Sequence, residues 1–174
     1  TTGPNNSTTP STPINSPTVV TSRLVKISAG PIVPGEVVIN KKPVTASSSP
    51  ETLVNYIERE SGNVFSYSSL TRTLTRTSNK TIPGIQSASW LPDGSVAFVR
   101  YLSGTNFSTI NTYALPSSGV GGFFLAQDLA DIAVSSTSVL SLASGVNGST
   151  ASLTRPDGTH ATSLFSSPLS ALRV

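Results

Sequence analysis

Short apolar runs recur along this chain at a nearly constant spacing, and that spacing constrains the fold more than any other feature. Three runs of similar character begin at Leu53, Ser95 and Ser138, at offsets of 42 and 43 residues. Turns rich in Gly, Pro, Asn and Ser separate shorter runs at roughly 8 to 12 residues, which is the strand spacing of an all-β protein. The sequence therefore predicts repeated units that each contain several antiparallel strands.

A repeat of roughly 40 to 45 residues is typical of a propeller blade made of four strands. The innermost strands of the blades are predicted at Ile32–Ile39, Gln86–Trp90, Asp131–Ser135 and Leu169–Val174, and the second strands at Leu53–Arg59, Ser95–Tyr101 and Ser138–Ala143. The third strands are predicted at Val64–Leu70, Phe107–Ala114 and Thr150–Arg155. The outer strands are predicted at Arg72–Thr77, Gly122–Ala126 and Thr159–Phe165. The predicted fold class is all-β, a partial β-propeller of about three four-stranded antiparallel blades. The blades are predicted over 19–80, 81–128 and 129–168, and the first strand of a further blade over 169–174.

Two turns of the same chemistry fall at joints between the predicted strands. Asp93-Gly94 and Asp157-Gly158 each follow a proline. Proline presets φ, the Asp carboxylate bonds to the main chain, and Gly accepts a positive φ. We expect these four residues to define the turns of the fold.

The amino-acid composition favours an exposed β protein over a helical enzyme, because 31 Ser and 22 Thr stand among the 174 residues. Residues 1–18 contain one apolar side chain, Ile14, so they are predicted to be a flexible Ser/Thr/Pro tether. The chain begins at Thr1 rather than Met, so we expect a processed product, a cut chain or part of a longer protein. No run approaches the roughly 20 apolar residues of a membrane helix.

Several classes of chemistry find no support in the residues present. Cysteine is absent, which excludes a disulfide framework, thiolate catalysis and cysteine-ligated zinc. His160 is the only histidine. The acidic pairs are Glu58 with Glu60 and Asp128 with Asp131. We interpret all five as exposed, capping or linking residues, so we predict no catalytic residue, no metal site and no cofactor.

A possible partner surface is predicted at Arg72, Arg76, Phe123 and Phe124. The formal net charge is only +3, and Arg72, Arg76 and Lys80 form the nearest basic cluster, so nucleic acid is not the expected partner. Phe123 and Phe124 are adjacent in a predicted strand, so their rings should point to opposite faces and leave one of them exposed or covering a neighbour.

One segment of the chain resembles a known family. The stretch ASWLPDGSVAFVRY (Ala88–Tyr101) resembles the blade signature of TolB-type and WD-repeat-like β-propellers, in which an aromatic residue ends the inner strand before a Pro-Asp-Gly turn. The stretch Glu58–Gln86 is similar to uncharacterised envelope-associated propeller proteins of the ultra-small candidate-phylum bacteria, and Ser152–Thr159 repeats the turn pattern in the third blade. Trp90 is the only tryptophan and ends a predicted inner strand, so we expect it to pack in the core or between blades rather than to form a platform for sugar stacking.

The resemblance implies a ring of six to eight blades, so we expect further blades from another chain, a cleaved remainder or copies of this chain. The leading hypothesis is a non-catalytic binding or scaffold module, extracellular or exposed on the cell envelope, with a protein or glycan ligand. The alternatives are the propeller part of a larger enzyme whose catalytic domain lies outside this chain, and a structural subunit of a surface filament.

Overall fold

The computed structural model describes residues 3, 24–43, 45 and 47–174, which form three four-stranded antiparallel sheets in a partial propeller-like arrangement. The predicted tether over 1–18 lies outside the described residues apart from Gly3. Sheet 1 contains β1 (Val37–Lys41), β2 (Glu51–Ile57), β3 (Val64–Ser68) and β4 (Leu74–Arg76). Sheet 2 contains β5 (Ile85–Trp90), β6 (Val96–Ser103), β7 (Thr109–Pro116) and β8 (Phe123–Phe124). Sheet 3 contains β9 (Leu129–Val134), β10 (Val139–Gly145), β11 (Gly148–Thr154) and β12 (Thr162–Ser167).

Each sheet is a meander in which the strands pair in chain order. The four strands of one sheet therefore come from one continuous stretch of sequence, as the repeat predicted. The all-β fold class is confirmed.

Sheet 2 lies between the other two sheets and is covered on both faces. Ala97 and Val99 of β6 pack with Ile57 of sheet 1, whereas Phe98 packs with Leu129 of sheet 3. Successive side chains of a strand point to opposite faces, so a strand buried on both sides needs an unbroken apolar run. The sequence Val-Ala-Phe-Val at the start of β6 is that run.

A short crossing segment ties sheet 1 to the inner strand of sheet 2. The carbonyl of Pro34 accepts a hydrogen bond from the Ala88 N–H at 2.9 Å, and the carbonyl of Gly35 accepts one from Trp90 Nε1 at 2.8 Å. Trp90 is 8% exposed and packs between the two sheets, which confirms its predicted role.

The crossing segment also corrects the innermost strand predicted at Ile32–Ile39. The strand begins only at Val37, and Ile32 makes a single bridge to Glu58. Pro34 has no N–H to donate, and Gly35 adopts a φ of 99°, so strand pairing is interrupted between Ile32 and Val37.

Other strand predictions were wrong in extent. Outer strands β4 and β8 have three and two residues, shorter than the predicted Arg72–Thr77 and Gly122–Ala126. Arg72 has a φ of 55°, which a strand does not accommodate. No strand forms over 169–174, where the Val174 N–H instead donates to Asp131 Oδ2 at 3.2 Å. That this segment begins a further blade stays a prediction.

Arg100 of β6 joins sheet 2 to the inner strand of sheet 3. Its Nη2 donates to the carbonyls of Leu129 at 2.6 Å and Ala130 at 3.2 Å, and its Nη1 lies 3.8 Å from Asp131 Oδ1. The guanidinium thus satisfies main-chain acceptors at a contact that is otherwise apolar.

We expect Arg100→Met to lower the free energy of unfolding by about 1–3 kcal/mol, because the two carbonyls lose a charged donor in a mostly buried site. Arg155→Met is the matched control at an exposed position, and it should change the stability by less than about 0.5 kcal/mol. Urea unfolding of both variants measures the difference. Equal effects of the two substitutions would contradict this role for Arg100.

Gly94→Ala is expected to destabilise the contact between sheets 1 and 2. A Cβ on Gly94 would lie 2.3 Å from Ile39 Cδ1 and 2.7 Å from Asn55 Nδ2. Gly84 has nearly the same φ, 71° against 70°, but open space around its Cβ position, so Gly84→Ala is the matched control for backbone strain.

Gly84→Ala should cost about 1 kcal/mol of unfolding free energy from strain alone. Gly94→Ala should cost about 1–3 kcal/mol more from overpacking. Denaturant unfolding checks both values, and a Gly94 variant no less stable than the Gly84 variant would show that the turn does not pack on sheet 1.

Candidate functional site

A groove of about 440 Å³ lies between sheets 2 and 3 and contains both predicted partner phenylalanines. We call it the inter-sheet groove, and it is lined by Phe123, Phe124, Leu125, Ala126, Leu129, Ser141, Ala143, Thr150, Ser152, Thr154, Gly158 and Ala161. Its volume lies in the range of small-molecule and oligomer sites, which are apolar with a few polar groups.

Phe123 forms the aromatic side of the groove, whereas the Phe124 ring points to the opposite face of β8. Strand β8 pairs Phe123 with Ala114 and Phe124 with Tyr113 on β7. Phe123 is half-buried, whereas Phe124 is 62% exposed and meets the Tyr113 ring edge-on at a centroid distance of 4.8 Å. The structure therefore confirms that one ring of the pair is exposed, and contact with Tyr113 holds it in place.

Hydroxyl side chains form the opposite side. Thr150, Ser152 and Thr154 alternate along β11, so they share one face, and Ser141 of β10 stands opposite Ser152 in the register. The groove consequently offers the Phe123 ring on one wall and alcohol donors and acceptors on the other.

The Asp157-Gly158 turn shapes the end of this groove. Gly158 has a φ of 80°, and a Cβ there would lie 2.6 Å from Cε2 of Phe123. A predicted turn residue and a predicted partner residue are thus in direct contact. The glycine allows the ring to pack flat against the turn.

The two predicted turns have the same hydrogen-bond geometry. Asp93 Oδ1 accepts from the Ser95 N–H at 3.0 Å and from Ser95 Oγ at 2.7 Å. Asp157 Oδ1 accepts from the Thr159 N–H at 2.9 Å and from Thr159 Oγ1 at 2.7 Å. These bonds favour the carboxylate form, so they lower the pKa of both aspartates. Asp93, Gly94, Asp157 and Gly158 therefore occupy turns of the expected chemistry.

The basic residues do not form one cluster. Arg76 is paired with Phe65 on the outer face of sheet 1, and Arg72 lines a separate groove of about 710 Å³ with Lys26 and Tyr67. Lys80 instead turns toward sheet 2. Its Nζ donates to the hydroxyl of Tyr113 at 2.5 Å and lies 4.3 Å from the centre of that ring.

Three of the four residues in the predicted acidic pairs make polar contacts within the fold. Glu58 Oε2 accepts from Ser61 Oγ at 2.6 Å. Asp128 Oδ1 accepts from the Ile110 N–H at 2.8 Å, so it holds the turn that leads into β9 against β7. Asp131 faces Arg100. Glu60 is exposed.

His160 is exposed beside the third-sheet turn, with its Nδ1 2.8 Å from Thr159 Oγ1. Over the described ranges, no three His, Asp or Glu side chains lie close enough together to hold a metal ion.

The part of the chain that the structure describes contains no helix that could span a membrane.

Sequence reasoning missed Arg100 and the hydroxyl wall. A cation placed directly after the apolar run of β6 was a signal for Arg100, because a charge there needs partners. The alternation of Thr150, Ser152 and Thr154 was also visible, but Ser and Thr are so frequent throughout this chain that it did not stand out.

Comparison of the chain with protein-family models, with curated proteins and with solved structures found no match. The side chains that line the inter-sheet groove include no Asp, Glu, His, Lys or Arg.

We expect NMR titration of the side-chain carboxyl carbons to give midpoints below 3.8 for Asp93 and Asp157. A pKa that is lowered in the folded state stabilises the protein above the unfolded pKa, and this contribution is lost as pH falls through the folded value. Acid should therefore loosen both turns.

Two hydroxyl deletions separate the causes of these lowered pKa values. Thr159→Ala removes the bond that lowers the pKa of Asp157 most, so its midpoint should move toward 3.8. Ser95→Ala leaves the dominant main-chain bond to Asp93 in place, so that midpoint should move less. The reverse order would contradict the hydrogen bonds described for the two turns.

Proposed function

We propose that this chain is a non-catalytic binding or scaffold module whose ligand surface is the inter-sheet groove. The observation that carries the proposal is an open cleft with Phe123 on one wall and the hydroxyls of Thr150 and Ser152 on the other. A ligand that presents both apolar faces and hydroxyl or amide groups would match both walls, and protein segments and glycans have this chemistry.

The absence of charge in the lining supports an uncharged ligand. A charged partner would lose its hydration on entering the groove and would gain no opposite charge there. Neutral oligosaccharides and uncharged peptide segments avoid this cost. The proposal also excludes nucleic acid as the partner. Binding of phosphates needs several clustered cations, and the basic residues of this chain are divided between separate surfaces.

We also propose that further sheets complete a propeller around these three. The outer face of sheet 1 carries Val38 at 55% exposure and Leu74 at 41%, and Phe165 of sheet 3 is 45% exposed. Apolar side chains on a terminal face gain stability when another sheet covers them. Another chain, a cleaved remainder or self-copies could supply these sheets.

The proposed location is outside the cell or exposed on the envelope, as for the TolB-like propellers that the sequence resembles. A surface rich in Ser and Thr with few charges supports this proposal. Glycan or protein ligands of the kind that the groove would hold are abundant there.

The binding test compares Phe123→Ala with Phe107→Ala. Phe107 is 72% exposed and does not line the inter-sheet groove, so it controls for loss of an exposed aromatic ring. The probes are a printed array of neutral oligosaccharides and an array of uncharged, hydroxyl-rich peptides.

We expect the unmodified protein to bind members of one array, and Phe123→Ala to lose about tenfold in affinity, equivalent to about 1.4 kcal/mol for one aromatic contact. Phe107→Ala should bind as the unmodified protein does. Binding that survives Phe123→Ala, or no binding on either array, would overturn the proposal.

A further inference from the structure

The outer strands of the three sheets differ in how well their free edges are protected against pairing with another strand. Strand β4 has only three residues, and it carries positive charge at its last residue, Arg76, and just before its start, at Arg72. Strand β8 has two residues. Short length and charged side chains are the usual protections of an edge strand, because its outward N–H and C=O groups otherwise accept a new strand.

Strand β12 has neither of these two protections, although its pairing with β11 is interrupted by one extra residue, Leu164. It is six residues long, and every residue but Ser167 is exposed. No charged side chain occurs from Ala161 to Leu172. Leu164 and Phe165 are 50% and 45% exposed at the middle of the strand. This edge therefore combines a row of main-chain hydrogen-bonding groups with apolar side chains, which is the chemistry that recognises an extended strand.

We propose that β12 is a self-association edge, through which two copies of this chain pair antiparallel about a twofold axis. The lack of charge argues for a second copy as the partner. A twofold axis places a strand opposite its own sequence, so any charge on it would face a like charge. Strand β4 would suffer that repulsion at its arginines, whereas β12 avoids it.

The axis also specifies which residues meet. A twofold axis normal to the sheet, centred on Phe165, places the two Phe165 residues opposite each other. Cross-strand aromatic pairs are among the stabilising pairs of antiparallel sheets. The two four-stranded sheets become one sheet of eight strands, and both exposed rings gain a partner.

One pair of six-residue strands buries less surface than the roughly 1,200 Å² of a stable interface. The dimer is accordingly weak and concentration-dependent. Its edge is separate from Phe123 of the inter-sheet groove, so dimerisation and ligand binding are tested by different substitutions.

Cysteine cross-linking provides a direct test, because the native chain has no cysteine. Directly opposed residues of antiparallel strands have Cα atoms roughly 4.5 to 5.5 Å apart, which a disulfide spans. Phe165→Cys is compared with Leu74→Cys, which lies on the outer strand β4 with a similar exposure of 41%. Circular dichroism of both variants checks that they fold.

We expect oxidised Phe165→Cys to become a covalent dimer of twice 17.9 kDa while Leu74→Cys remains monomeric. Equal cross-linking of the two variants, or none by Phe165→Cys, would overturn the proposal.

Sedimentation velocity on the unmodified protein gives an independent measurement. The mass should rise from monomer toward dimer as the concentration increases to about 1 mM. Ser166→Lys should weaken the dimer by at least about tenfold through like-charge repulsion at the axis, whereas Thr75→Lys on β4 should leave it unchanged. A protein that stays monomeric throughout, or a dimer indifferent to Ser166→Lys, would overturn the proposal.

Discussion

The burial of sheet 2 on both faces is the constraint on which the rest of the structure depends. Phe98 and Val99 are adjacent in β6, yet they pack against different sheets and are almost fully buried. Burial of a side chain of this size contributes about 1.5–3 kcal/mol. Sheets 1 and 3 each have one face packed on sheet 2, so neither would keep its position without this central layer. The polar links through Trp90 and Arg100 set the alignment of layers that hydrophobic burial brings together.

The sequence predicted those features that depend on neighbouring residues and missed those that depend on distant ones. Turn chemistry is local, so Asp93 and Asp157 stand where the sequence placed them. Strand order followed from the repeat. In contrast, the contact of the Pro34 carbonyl with Ala88 depends on the packing of sheet 2, and the direction of the Arg100 side chain depends on carbonyls of sheet 3. No pattern within a single unit contains that information.

The inter-sheet groove was predictable in part for the same reason. Adjacent phenylalanines must point to opposite faces, so an exposed ring was expected. The hydroxyl wall faces the other ring, that of Phe123, only because sheet 3 packs on sheet 2. Gly158 shows both a local and a distant cause. Its positive φ follows from the turn sequence, whereas its contact with Phe123 follows from the packing of sheet 3 on sheet 2. The candidate site thus belongs to the junction between sheets rather than to either sheet alone.

The meander topology has a consequence for how such a chain could change over evolutionary time. Among the strands that the structure describes, every main-chain ladder closes within one contiguous segment, and strands of different sheets exchange no ladder. Duplication or deletion of a whole segment would therefore leave all ladders intact and would require only one new apolar seam. A lineage built this way can lengthen or shorten by whole modules, while insertions inside a module would be selected against.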